Sequence, residues 1–294
     1  MNRRSFLSAL IIAPAGAALL AACGDDSTDD ADEDNGDDNG GDNGGGGIDY
    51  QRTADTAVLR LGSEGGFVPA FFAFVNQPSL LISGDGLAYT PGAVAEIYPG
   101  PLVLPMGVRT ISDRGIQSVL RLADEAGLLA PPPDYFAEVP VADAPDTVLT
   151  INAAGGSFRH QANALGFQID ENGNPKPEPT KERQKLWEFV QLMGDMAKVV
   201  GAEELGAETI WAPTGYRLQA REVTDDEIAA VEGATVVDWP DAADVRLADA
   251  LECAQSSDNA VATALTEAFQ NTFFAEAGTT YAVSAAGVLP GEGC

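Results

Sequence analysis

The chain of 294 residues holds one histidine, His160, three cysteines and four methionines. A single imidazole excludes the two-histidine helix of zinc peptidases, and no C-x-x-C spacing offers a thiolate site in its place. Lysine is equally scarce: beyond residue 47 there are only Lys176, Lys181, Lys185 and Lys198, and the formal charge of the whole chain is −29. So negative a surface repels nucleic acid and anionic lipid headgroups, and no nucleic-acid partner is expected. Phosphate-binding glycine loops are missing as well. "GSEGG" at 62–66 runs into Pro69 instead of a helix N-terminus and fits neither the P-loop nor the dinucleotide fingerprint. Nothing in the sequence implies a cofactor. Finally, the stretch from Phe6 to Ala22 is diluted by Ala, Gly and Pro and falls short of the ~20 strongly apolar residues that a membrane helix needs.

That same stretch is informative for what it does contain. A basic start, a short apolar run and small residues ahead of a cysteine have the form of an export signal. Arg3-Arg4-Ser5-Phe6-Leu7 resembles the twin-arginine motif, whose marks are Arg3, Arg4, Phe6 and Leu7. Leu20-Ala21-Ala22-Cys23 resembles the bacterial lipobox, in which the cysteine thiol is acylated and the chain is cut just before it. The resemblance implies a signal peptide over 1–22, a lipid anchor on Cys23, and residence on the outer face of the cell membrane.

Residues 24–47, "GDDSTDDADEDNGDDNGGDNGGGG", carry ten acids, no base, and only Ala31 to pack. Such a segment cannot bury enough apolar surface to offset its ordering entropy. It is expected to be a solvated tether over 23–47 with a reach of up to ~80 Å when extended. The spacing Asp30-x-Asp32-x-Asp34 resembles the start of a calcium loop. Asn35 stands where that loop needs Gly, however, and Gly41 where it needs Glu, so a spacer is the better reading.

Residues 48–294 suffice for one sizeable domain. Without the two leader arginines and the ten tether acids its charge is −21. With Cys23 acylated, Cys253 and Cys294 are left as one intramolecular pair, and outside the cytoplasm they are expected to form a disulfide. Local patterns give strands in hairpins: 80–83 and 87–90 around Gly84-Asp85-Gly86, then "TVLTI" and "SFRHQA" around 153–156. Single helices stand between them, one capped by Ser112 and closed at Gly127, one over 181–200 capped by Thr180, and one in "DNAVATALTEAFQ". Further strands are expected at 57–61 and in "GYRLQAREV", "ATVVDWP" and "TTYAVSAAGVLP". The proline-rich 130–146 is a candidate subdomain boundary. The expected fold is α+β, a mainly antiparallel sheet of hairpins with about three helices packed on it. Stretches such as "LLISGDGLAYTPG", "DWP" and "VLPGEGC" resemble secreted actinobacterial proteins of no assigned activity, which implies export and no mechanism.

Any Ser-His or Cys-His scheme must run through His160. On a strand it shares a face with Phe158 and Ala162, opposite Ser157, and "GGSFR" is no G-x-S-x-G elbow, so a packed histidine is favoured. "GFVPAFFAFVNQP" crowds Phe67, Phe71, Phe72 and Phe74 into eight positions, a candidate lining for an apolar or sugar ligand, with core packing as the plainer alternative. Trp211 and Trp239 read as packing at strand ends. The expected function is a membrane-anchored lipoprotein that binds an envelope protein or a small-molecule ligand. The alternatives are an extracellular hydrolase using paired carboxylates and a transporter-linked solute-binding protein, whose lobes would demand β-α-β alternation.

Overall fold

The computed structural model describes residues 47–68, 70–135, 143–167 and 176–294. The leader, Cys23, the tether up to residue 46 and its calcium-like spacing lie outside the described residues, as do residues 136–142 of the proline-rich segment and residues 168–175.

Among the described residues twelve strands form two sheets. The first follows the order β6-β5-β1-β2-β3-β4-β7, built from β1 (Ala57–Glu64), β2 (Leu80–Ser83), β3 (Leu87–Pro91), β4 (Met106–Thr110), β5 (Asp146–Ala153), β6 (Gly156–Asn163) and β7 (Thr209–Ile210), all antiparallel. The second follows β10-β8-β12-β11-β9, from β8 (Tyr216–Glu222), β9 (Thr235–Asp238), β10 (Ala254–Ser256), β11 (Thr272–Glu276) and β12 (Thr279–Gly287). Among the described strands only β9 and β11 run parallel. The α+β class and the antiparallel hairpins hold, but the strands divide between two sheets instead of sharing one. β1 and β5 are direct neighbours although the proline-rich 130–146 lies between them in sequence.

Helices α2 (Asp113–Glu125), α3 (Lys181–Met193) and α4 (Met196–Val200) cover one face of the first sheet. Their Ile116, Leu120, Leu186 and Phe189 meet Leu59, Leu149 and Ile151 in a core sealed from water. Helix α2 starts where Ser112 accepts a hydrogen bond from Gly115 N, as its capping position requires. The helix expected over 181–200 is broken at Gly194-Asp195, and the restart buries Met196 and Val200. In β1 a bulge between Ala57 and Leu59 lets the consecutive Val58 and Leu59 both face inward, which a strict alternation forbids.

The second sheet packs Leu218, Phe274, Tyr281 and Val283 against α6 (Asn259–Glu267) through Val261 and Leu265. Trp239 stands edge-on to Phe274 at 5.2 Å and donates from its indole to Val245 O. Two short helices, α1 (Ala70–Val75) and α5 (Asp225–Ala229), complete the α-helices among the described residues, beside 3-10 turns at Ala202–Glu204 and Leu247–Asp249; α1 lies against β12. The sheets are joined by the C-terminal segment. Leu289 packs with Leu81, Tyr89 and Met106, and Glu292 accepts charge-assisted contacts from Arg60 of β1 and Arg217 of β8. A disulfide joins Cys294 to Cys253, with the two Cα atoms 5.5 Å apart.

Candidate functional site

Residues 48–50 lie beside an open cleft. Ile48 N donates to the Gln117 side chain at 2.8 Å, and that side chain donates back to Ile48 O at 2.9 Å. One residue on, Asp49 O accepts from Ala154 N at 2.7 Å. Ala154 and Gly155 both hold positive φ, 51° and 73°, the two-residue turn that matches the twist of a hairpin. Alanine is an unusual occupant of that conformation, and the bond to Asp49 holds it there. Residue 49 is thus fastened to the β5–β6 turn.

The cleft lies on the helix-free face of the first sheet and encloses about 690 Å³. Its floor is a row of polar side chains from three strands, Arg60, Thr150, Asn152 and Ser157, in registers that put all four on one face. The entering segment supplies one wall with Asp49, Tyr50 and Asp55, and Pro290 and Gly291 supply another. Arg60 is held from beneath by Glu292, Nε to Oε1 at 3.2 Å. Asn152 donates to Ala57 O at 2.7 Å and keeps its own carbonyl oxygen for other partners. The Tyr50 hydroxyl donates to Asp113 at 2.5 Å. Partial burial, then that carboxylate, push the phenol up to about 12, and the same hydrogen bond lowers the Asp113 carboxyl. The cleft is therefore rich in hydrogen-bond acceptors, with two carboxylates along one side.

The residues singled out in the sequence are dispersed. His160 is sealed in the core, with Nε2 2.9 Å from Leu128 O and Nδ1 2.7 Å from the Tyr135 hydroxyl. A carbonyl can only accept, so Nε2 carries the proton and Nδ1 takes the hydroxyl's. Both ring nitrogens are engaged, and Ser157 faces solvent on the other side of the strand. His160 is a packed histidine, as its strand position suggested. Phe67 is 90% exposed, Phe72 stands half out of α1, and the Phe74 ring lies under the Arg217 guanidinium at 5.3 Å. The Phe71 side chain lies outside the description. These aromatics sit past the Glu64 end of β1, whereas the cleft sits at its Ala57 end. Trp211 meets Tyr89 edge-on at 5.5 Å, packing beyond β7.

Among the described residues no group of three or more His, Cys, Asp or Glu side chains is arranged to hold a metal ion, and no helix is long and apolar enough to cross a membrane. Two features escaped the sequence reading. The cleft is assembled from segments about 100 and 240 residues apart along the chain, with no local signature. Arg183, the first-turn arginine of α3, is wholly buried and binds Glu178, Tyr135 O and Asn163 O at 2.6, 3.2 and 3.0 Å. The chain matches no protein-family model, and neither the curated proteins nor the solved structures contain a significant match to it.

Proposed function

We propose that this chain is a lipoprotein exported through the twin-arginine route, acylated on Cys23, and tethered so that one α+β domain is presented outside the cell membrane to bind an envelope partner or a small ligand. The observation that carries the proposal is the order of parts. "RRSFL" and "LAAC" precede a polar stretch of 24 residues, and Ile48, directly after it in sequence, is hydrogen-bonded to Gln117. An anchor followed by a solvated spacer serves a domain that must reach something near the membrane while staying on it. The polar cleft beside the tether entry is of the size that holds small ligands and supports a binding role. Mass spectrometry of the mature N-terminal peptide tests the anchor. A diacylglyceryl-modified Cys23 with residues 1–22 removed is expected, and an unmodified cysteine would refute it.

One observation favours a second reading. Asp49 and Asp55 line the same cleft, and paired carboxylates flanking a bond are the machinery of glycoside hydrolysis. Release of sugar from a panel of glycosides, abolished by Asp55→Asn, would support the hydrolase; no release from any of them would leave the binding role.

A further inference from the structure

The longest edge strand of the first sheet is β6, eight residues against the two of β7 at the other edge. Its two-residue turn makes Ala153 and Gly156 the closing pair. Mutually bonded pairs then recur at Ile151–Phe158, Leu149–His160 and Thr147–Ala162. Phe158, His160 and Ala162 therefore direct their peptide groups to β5. Ser157, Arg159 and Gln161 direct theirs outward, and among the described residues none of these backbone groups has a hydrogen-bond partner. Edge strands are commonly guarded by a free charge, a proline or a bulge. Here Arg159 donates to Glu64 at 2.6 Å and to Gln161, and Gln161 donates to Asp146 at 2.5 Å, so these side chains lie across the sheet face instead of standing over its edge. Carboxylates flank both ends of the strand, Asp49 and Asp55 in the cleft at its start and Asp146 beside its finish.

We propose that the β6 edge is a docking site for an extended basic segment of a partner protein, which adds to the sheet as an eighth strand with its cationic side chains against those carboxylates. Charge selects this occupant. Two copies of a domain at −21 repel each other, which disfavours edge-to-edge dimers. The chain's own tether is acidic and glycine-rich, repelled by the same field and poorly suited to a strand. Strand addition also explains the arrangement functionally: main-chain bonds supply affinity, and the flanking groups supply selectivity. The inference gives the proposed binding role a partner class and rests on that reading.

The test is titration calorimetry of the full-length chain with a blocked peptide of about ten residues alternating lysine and valine. Comparison peptides carry either N-methyl groups on the pairing edge or glutamate in place of lysine. Backbone methylation is expected to weaken binding at least about tenfold, and the glutamate peptide is expected not to bind. On the protein side, Arg159→Pro removes an outward N–H that β5 does not use and is tolerable on an edge. It should abolish binding, while Arg159→Gln, which keeps that N–H, should not. Hydrogen exchange gives a readout independent of any variant: the amides of Ser157, Arg159 and Gln161 should gain protection with the lysine peptide. Equal binding of the methylated peptide would mean attraction by charge alone and would overturn the proposal. So would protection of the same amides without peptide, rising with protein concentration, which would assign the edge to a second copy. None of these results depends on Cys23, so a failure here is separable from a failure of the anchoring proposal.

Discussion

Arg183 donates from Nε to Glu178 Oε2 at 2.6 Å with both side chains shut off from solvent. Glu178 also accepts from Gly166 N at 2.6 Å, so one ion pair ties the start of α3 to the C-terminal end of β6, to the turn that follows it and to the segment at Tyr135. Removing one member leaves a buried charge unpaired, which costs about 3–5 kcal/mol. Glu178→Gln is therefore expected to lower unfolding free energy by roughly that amount in a urea titration. The exposed pair Arg52–Asp113 is the contrast, with 60% and 53% of the side chains accessible. Arg52→Gln should cost no more than ~1 kcal/mol. Similar losses for the two variants would contradict the distinction between them.

His160 offers a clean pH experiment because it is the only imidazole. Burial pushes it below its ordinary value, and the bond to Leu128 O opposes this only in part. In the unfolded chain it takes up a proton near pH ~6.5, whereas in the folded chain it resists until the pH is lower. The unfolded state then binds more protons, so the contribution is fully present above about pH 6.5 and is lost as the pH falls through the depressed folded value. The single imidazole signal in a proton NMR titration should move at a pH below the free value. A midpoint at or above it would show that the ring is not held neutral.

The bond between Cys253 and Cys294 spans 41 residues, and the chain-entropy model gives ~4 kcal/mol for closing that loop. It fastens the tail that carries Glu292, the side chain shared by Arg60 and Arg217. A Cys253→Ser chain should still unfold cooperatively, at a lower temperature, because on the proposed twin-arginine route a protein folds before it meets an oxidising compartment. Failure to fold at all would contradict this.

A domain cut at Gly47 carries −21, and its self-repulsion should fall as the Debye length shrinks from ~10 Å at 0.1 M salt to ~3 Å at 1 M. Its melting temperature is expected to rise over that range. A flat or falling temperature would mean that the ion pairs lost to screening outweigh the repulsion.

The parts of the fold visible in the sequence are those set by local chemistry. Gly84-Asp85-Gly86 and Ala154-Gly155 dictate hairpins, and Ser112 and Thr180 cap helices with bonds to Gly115 N and Arg183 N. What stayed hidden depends on residues far apart. The parallel pairing of β9 with β11 joins Thr235 to Thr272, and β11 itself follows a helix after only four residues, of which Asn271 alone is a turn former. The stop at Gly194-Asp195 was obscured because the apolar spacing continues through it. The cleft and the outward peptide groups of Ser157, Arg159 and Gln161 take their places only once β1, β5 and β6 are side by side. The second sheet likewise needs Glu292 and Leu289 to return to strands formed some 200 residues earlier.

Cell fractionation of a Cys23→Ser chain tests the central claim most directly. Two or more acyl chains hold a protein stably on a membrane, and nothing else on this acidic chain is expected to. The native protein should be recovered with membranes and resist high salt. The variant, exported and processed, should appear in the soluble fraction. A variant that is cut correctly and still stays with the membrane would contradict the account.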